Sequence, residues 1–132
     1  MGRIEDKRNE VIEFVEDLMG IVPDSYNEYK SNLEKRLACE RAFERIIEAT
    51  HDLAILFIKE KRLVLPSDDE KAFGVLAGAG IINENLASRL SDAKGMRNIL
   101  AHQYDKLDDE IIFEAIHKEI VKDVNEFLKV LI

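Results

Sequence analysis

The chain has 132 residues, enough to bury one hydrophobic core, and its net charge of −8 argues against a protein that coats nucleic acid through a whole basic face. Hydrophobic residues make up 46% and charged residues 35%, with two prolines and no tryptophan, a balance that favours long amphipathic helices over a turn-rich β protein. We therefore predict one all-α domain over residues 1–132, folded as an antiparallel bundle of four or five helices.

Cysteine usage argues against a zinc protein, and hydropathy argues against a membrane protein. The single cysteine, Cys39, has no partner for an internal disulfide and no neighbouring Cys or His at zinc-site spacing, so no metal site is predicted. The stretch "MGRIEDKRNEVIEF" lacks an apolar signal core, and no run reaches the roughly 18 apolar residues that a membrane span needs. We therefore expect a cytoplasmic protein that makes no membrane contact.

The first two helices follow from apolar periodicity and capping residues. The first is predicted over Arg3–Ile21 and is closed by the "GIVPDS" stretch. The second, capped by Asp24 or Ser25, is expected to continue to about Arg62 because no glycine or proline interrupts it, with a bend near Ser31. This second helix would be the longest element of the bundle.

The remaining helices are separated by a proline-bearing linker and by polar breaks. A short third helix is predicted from about Asp69 to Gly78 or Gly80. Asn83 is expected to cap a fourth helix, which starts near Glu84 and runs into the stretch "RNILAHQY". The stretch "DEIIFEAIHKEIVKDVNEFLKVLI" predicts a strongly amphipathic final helix with acids in its first turn.

One face of the fourth helix is unusually rich in small and polar residues. At about 100° per residue, one arc of this helix is apolar, whereas Ala87, Ser91, Gly95, Asn98 and His102 form a stripe on another side. A solvated face normally carries Lys and Glu, and small residues let another helix approach closely. We interpret the stripe as a contact surface whose simplest use is symmetric dimerisation. The alternative, that Ser and Gly are merely tolerated on an exposed helix, remains open.

The stretch "RNILAHQY" collects side chains suited to RNA cleavage. Histidine serves as acid or base near neutral pH, and the arginine fork matches the oxygens of a phosphate, so metal-free cleavage through a 2′-hydroxyl is feasible with Arg97 and His102. By helical geometry, Asn98 and His102 stack on the stripe, whereas Arg97 and Tyr104, seven residues apart, share the edge that borders the core if the helix persists that far. Spacing alone favours a structural interpretation, in which Arg97 pairs with a carboxylate of the second helix and His102 caps its own helix.

The arrangement Arg, four residues, His, one residue, Tyr resembles the signature of the HepT-type toxins in the HEPN superfamily. The resemblance includes the polar Asn98 after the arginine and extends to "YKSNLEKRLACERAFERIIEATHDLA", to "AFGVLAGAGII" and to the final helix. It implies a homodimeric all-α bundle in which the motifs of both subunits meet in a cleft. It also implies a metal-independent endoribonuclease that acts as the toxin of a type VII-like toxin–antitoxin pair.

The resemblance assigns roles to individual residues. Arg97 and His102 would be the catalytic pair and Asn98 a supporting residue, with RNA as substrate and no cofactor. Tyr104 would be the residue to which a cognate minimal nucleotidyltransferase, an MntA-like antitoxin, attaches AMP. ATP and magnesium would then belong to that partner enzyme. The added bulk and negative charge would obstruct RNA phosphates.

Two questions stay open at the level of sequence. The acidic balance of the chain favours an alternative function, a non-nucleolytic partner of the same nucleotidyltransferase whose Arg97 and His102 hold a nucleotide or only stabilise the complex. The second helix also carries a row of three glutamates at i, i+4 and i+8, Glu40, Glu44 and Glu48. One of them is a candidate to orient Arg97, and the sequence does not say which.

Overall fold

The computed structural model describes residues 2–68, 71–102 and 108–131, which form α-helices joined by short loops and contain no strand. The helices in chain order are α1 (Gly2–Ile21), α2 (Tyr26–Ser31), α3 (Leu33–Glu60), α4 (Ala72–Gly78), α5 (Glu84–His102), α6 (Asp109–Glu114) and α7 (Ile120–Val130), with a π-helical segment (Ala115–Glu119) between α6 and α7. The prediction of an all-α bundle is confirmed.

The helices α1 and α3 pack against each other in antiparallel directions. Lys7 near the start of α1 lies 3.8 Å from Asp52 in the second half of α3. Further along α1, the ring of Phe14 lies 4.0 Å from the guanidinium of Arg45, which precedes Asp52 on α3. The core-facing positions of α1 recur at helical spacing and are buried: Val11, Val15 and Leu18. The predicted first helix is confirmed.

The long second helix of the sequence prediction is divided at Asn32. This residue has an extended backbone (φ −122°, ψ 103°), and its side-chain Oδ1 accepts a hydrogen bond from the Lys35 backbone N–H at 3.1 Å. Asn32 therefore caps α3 and ends α2, because a capping residue leaves the helical conformation in order to bind a free N–H of the first turn. The bend expected near Ser31 is a full break, and the prediction of one uninterrupted helix is wrong. Ser25 caps α2, as one of the two predicted candidates.

A cap stabilises the start of α5, and ion pairs connect this helix to α7. The Leu86 backbone N–H donates to Asn83 Oδ1 at 2.7 Å, which confirms the predicted cap. Arg89 on α5 reaches Glu126 at 3.1 Å and Asp123 at 3.3 Å on α7. Burial raises the pKa of Asp123, and the charge of Arg89 opposes that shift.

The last predicted helix contains one feature that the sequence pattern did not indicate. Residues 115–119 form a π-helical turn between α6 and α7, in which the imidazole of His117 stacks on Phe113 with ring centroids 4.9 Å apart. Apolar periodicity does not distinguish one widened turn from an ordinary α-helical one. The predicted third helix corresponds to α4, and its predicted start near Asp69 lies outside the described residues.

The hydrophobic core lies between α1, α3, α4, α5 and α7, and α2 and α6 add further buried residues to it. The rings of Phe73 and Phe127 meet edge to face at 5.8 Å, and Phe43 of α3 is also fully buried. Leu86, Leu90 and Leu100 anchor α5 on this core and leave its C-terminal polar residues at the edge of the bundle. Among the described residues, no helix is long and apolar enough to cross a membrane.

Candidate functional site

Arg97 lies at the contact between α5 and α3, and two side chains orient its guanidinium. Its Nη1 donates to Asn98 Oδ1 at 3.2 Å, and its Nη2 lies 3.4 Å from Glu48 Oε1 on α3. The Nε atom is buried and donates to no acceptor among the described residues. The side chain of Arg97 as a whole is 22% exposed.

The structure distinguishes the three glutamates of the acidic row. Glu48 is the one that contacts Arg97. Glu40 is buried and accepts a hydrogen bond from the Tyr29 hydroxyl at 2.8 Å. Burial raises the pKa of the Glu40 carboxyl, whereas the hydrogen bond from Tyr29 lowers it. The ion pair of the structural interpretation is thus present, and within the described part of the chain the other N–H groups of Arg97 have no carboxylate partner.

His102 is exposed and is the last residue of α5. It lies one turn beyond Asn98, and helical geometry places it about 140° around the axis and about 7.5 Å along it from Arg97. The structure therefore brings Arg97 and Asn98 into direct contact and places His102 on the next turn. Tyr104 lies outside the described residues.

Lys94 is a cation of the same helix that the sequence analysis did not single out. It lies one turn before Arg97 and is only 9% exposed. Its ammonium forms no ion pair with any carboxylate in the part of the chain that the structure describes. A buried lysine is rarely left without a counter-charge. The sequence signal that could have identified Lys94 is its position, three residues before Arg97 on the same helix.

The predicted dimer stripe is partly covered by the chain itself. Ala87 is 5% exposed and belongs to the core, so it has little surface to offer to a partner. Ser91 and Gly95 are partly exposed and line a shallow groove with Lys71. A Cβ atom at Gly95 would meet nothing within 4 Å, so the packing of this chain does not itself require glycine there.

The other histidines and acidic residues that the structure describes do not assemble a further site. His51 is buried against Phe73 with ring centroids 6.0 Å apart, and His117 packs on an aromatic ring of the bundle. Among the described residues, no group of three or more His, Cys, Asp or Glu side chains is placed to hold a metal ion. Burial raises the pKa of the Cys39 thiol, as expected for a structural cysteine.

The chain is similar to known ribonucleases over most of its length. The family model described as Ribonuclease HepT-like matches residues 11–131. The chain is 27% identical over 110 residues to the tRNA nuclease HepT of Aphanizomenon flos-aquae, covering 79% of this chain and 75% of that protein. It is also 27% identical over 88 residues to the mRNA nuclease HepT of Shewanella oneidensis, covering 67% of this chain and 65% of that one.

Two solved structures show the same fold. One is a toxin–antitoxin complex with AMP-PNP, with a TM-score of 0.88 at 21% identity over 97% of this chain and 96% of that chain. The other is a tri-AMPylated Shewanella oneidensis HEPN toxin in complex with an MNT antitoxin, with a TM-score of 0.89 at 22% identity over 97% and 95% of the two chains. The similarity therefore covers the whole bundle, including the helix that carries Arg97 and His102.

Proposed function

Because this chain belongs to the HepT-like ribonuclease family, we propose that it is a metal-independent endoribonuclease in which Arg97 and His102 act on RNA. The observation that carries the proposal is the arrangement at the end of α5. There an arginine is held by two neighbours, has N–H groups without a partner among the described residues, and lies about one helical turn from an exposed histidine. RNA cleavage needs a proton acceptor, a proton donor and a cation for the phosphorane oxygens, and these two residue types supply them.

The reaction that fits these residues is an internal transesterification. The RNA 2′-oxygen attacks the adjacent phosphorus and loses its proton to a base, while the bond from phosphorus to the 5′-oxygen breaks and that oxygen takes up a proton. The products are a 2′,3′-cyclic phosphate and a 5′-hydroxyl, so no water molecule is consumed in this step. His102 is suited to move protons at the reacting oxygens, and Arg97 to bind the phosphate oxygens as negative charge develops on them.

We place the working site in a homodimer. Each chain supplies one motif histidine, whereas the reaction moves one proton to the enzyme and another to the leaving oxygen, so two copies of His102 would provide one group for each task. Of the small residues in the stripe, Ser91 and Gly95 have surface left for a second α5. The cation of Lys94 strengthens the local attraction for phosphate in a protein whose net charge is −8.

Regulation by a nucleotidyltransferase antitoxin follows from the position of Tyr104, two residues after His102. We propose that the antitoxin transfers AMP from ATP to the hydroxyl of Tyr104 and that magnesium and ATP are bound by the antitoxin. The Tyr hydroxyl oxygen would attack the α-phosphorus and pyrophosphate would leave. The tri-AMPylated HEPN toxin bound to an MNT antitoxin supports this proposal. The phosphate added beside His102 would repel RNA.

The competing function is a non-nucleolytic partner subunit of the transferase, with Arg97 and His102 holding a nucleotide or stabilising the complex. Two observations favour it: the net charge of −8 and the ion pair between Glu48 and Arg97, which already satisfies part of the arginine. It predicts that unmodified protein degrades no RNA and that replacing His102 weakens binding of a nucleotide or of the transferase.

The deciding experiment is RNA digestion by unmodified protein in the presence of a chelator. We expect wild type to cleave and leave a 2′,3′-cyclic phosphate, and His102→Ala to lose cleavage. His117→Ala is the matched control, because it removes a histidine that packs on Phe113 rather than one at the motif. Equal cleavage by wild type and His102→Ala would refute the catalytic role of His102. Absence of cleavage by wild type would favour the partner subunit.

The modification is tested separately by mass spectrometry. After incubation with the neighbouring transferase, ATP and magnesium, the peptide that contains Tyr104 should gain one or more adenylyl groups, and the same peptide of Tyr104→Phe should gain none. The Tyr104→Phe protein should still cleave RNA. Adenylylation of Tyr104→Phe to the wild-type extent would place the modified residue elsewhere in the chain.

A further inference from the structure

We infer that Glu48 is a positioning residue that holds Arg97 in the orientation needed to bind the scissile phosphate. The inference rests on the proposed function, and it adds a residue from α3 to a site that the motif places wholly on α5. It begins from one contact between helices, the 3.4 Å approach of Glu48 Oε1 to Arg97 Nη2. Glu48 is thus the link between the motif and the longest helix of the bundle.

The contact fixes the direction of a flexible side chain. An arginine on its own samples many rotamers, and a second anchor is needed to hold the plane of its guanidinium. Asn98 provides one anchor from the same helix, and Glu48 provides the other from a different helix. Because the two acceptors engage different terminal nitrogens, together they define both the position and the plane of the group.

The count of donors shows why this pair differs from an ordinary surface ion pair. A guanidinium has five N–H groups, and Asn98 and Glu48 each engage one terminal nitrogen. Since the Nε atom is buried, incoming phosphate oxygens have to meet the remaining N–H groups of the terminal nitrogens. Glu48 therefore orients the arginine and leaves donors for a substrate.

The charge of Glu48 gives the inference a kinetic signature. A carboxylate beside the site repels RNA phosphates, so its removal should leave KM unchanged or lower it. Loss of the anchor lets the guanidinium move away from the reactive geometry, so kcat should fall. A residue that only stabilised the fold would not separate these two parameters in this direction.

The kinetic test compares three variants of the acidic row. Glu48→Ala removes the anchor and the charge, and Glu48→Gln removes the charge but keeps an oxygen acceptor for Arg97. Glu44→Ala, one turn earlier on α3, is the matched control for general charge. We expect kcat to fall about tenfold to a hundredfold in Glu48→Ala and less in Glu48→Gln, with KM not raised in either and Glu44→Ala close to wild type. A kcat in Glu48→Ala equal to that of wild type overturns the inference.

A second measurement keeps the inference testable if the protein does not cleave RNA. In NMR spectra of the arginine side chains, assigned with Arg97→Lys, hindered rotation of the Arg97 guanidinium should be seen in wild type and in Glu44→Ala and be lost in Glu48→Ala. Unchanged rotation in Glu48→Ala overturns the positioning role. If wild type leaves RNA intact while the NMR difference is present, the proposed function fails, and Glu48 still holds Arg97.

Discussion

Glu40 and Glu48 lie about two turns apart on α3, and each contacts a side chain from another helix, yet the two contacts differ in kind. Glu40 is 6% exposed and accepts a hydrogen bond from Tyr29, whose ring also packs on Phe113 at 5.2 Å. The side chain of Glu48 is 48% exposed and lies beside Arg97 at the edge of the bundle. The hydrogen bond between Tyr29 and Glu40 connects α2 to α3 inside the bundle, and we call this contact the buried joint. The contact between Glu48 and Arg97 borders a surface that a substrate can reach.

The difference shows that an ion pair or a hydrogen bond does not by itself identify a functional residue. Tyr29 has one hydroxyl proton and donates it to Glu40, so no donor of its side chain is left for a ligand. Arg97 retains N–H groups after Glu48 and Asn98 have each engaged one of its nitrogens. We therefore expect changes at the buried joint to lower stability and changes at Arg97 to lower activity.

Replacing Arg97 by alanine should produce the largest effect on activity and little effect on stability. Removing a cation that binds the phosphorane oxygens is expected to lower kcat/KM by about a hundredfold or more, equivalent to roughly 3 kcal/mol or more of transition-state binding. The ion pair with Glu48 is partly exposed, so its loss should change the free energy of unfolding by about 1 kcal/mol or less. RNA cleavage rates and thermal unfolding of the same preparation test both statements. An Arg97→Ala protein that is clearly less stable than wild type but cleaves RNA at the wild-type rate would contradict both expectations.

Replacing Tyr29 by phenylalanine should have the opposite result. Glu40 would remain buried without its donor, which costs roughly 1–3 kcal/mol and should lower the melting temperature by several degrees. Cleavage measured well below that temperature should match wild type, because the side-chain contacts of Tyr29 among the described residues are with Glu40 and Phe113 and not with Arg97, Asn98 or His102. Tyr26→Phe, at the neighbouring partly buried tyrosine that packs on Phe113 at 5.9 Å, provides the control. Equal stability of the two variants would argue against the importance of the buried joint.

Removal of a helix cap should have a smaller effect. Asn83→Ala leaves the Leu86 backbone N–H without its acceptor and should cost about 1 kcal/mol of unfolding free energy, measured by chemical denaturation. Asn32→Ala removes the corresponding cap of α3, the helix that carries both glutamates, and serves as the comparison. Asn83→Ala should also leave kcat unchanged, since the cap lies at the opposite end of α5 from His102. A fall in kcat without a change in stability would mean that the two ends of α5 are coupled.

The sequence predicted those features that depend on local pattern. The first helix, the cap at Asn83 and the apolar arc of the fourth helix follow from periodicity and capping chemistry, and the structure confirms them, with Leu86 and Leu90 of that arc buried. The break at Asn32 was missed because asparagine also occurs within helices, and only the extended backbone shows that it acts as a cap here.

The choice of Glu48 from its row was also beyond the sequence. Three glutamates at equal spacing are equivalent until the rotation of α3 about its axis and its packing on α2 and α5 are known. In the folded chain, this rotation directs Glu40 towards Tyr29 and leaves Glu48 next to Arg97. Sequence pattern therefore located the motif, and tertiary packing decided which residues from other helices accompany it.

The pH dependence of stability gives the last and finest test of the contrast between the two glutamates. Burial raises the pKa of Glu40 in the folded protein, so the unfolded chain loses this proton at a lower pH than the folded chain does. As pH rises from the ordinary glutamate pKa through the raised one, the folded state holds more protons than the unfolded state, and wild type loses stability. Glu40→Gln keeps an acceptor for Tyr29 and has no proton to lose. Its stability relative to wild type should therefore increase with pH across that window and then level off. Denaturant titrations of both proteins over a pH series measure this difference, and a difference that stays constant or shrinks as pH rises would show that Glu40 ionises in the folded protein without the cost of burial.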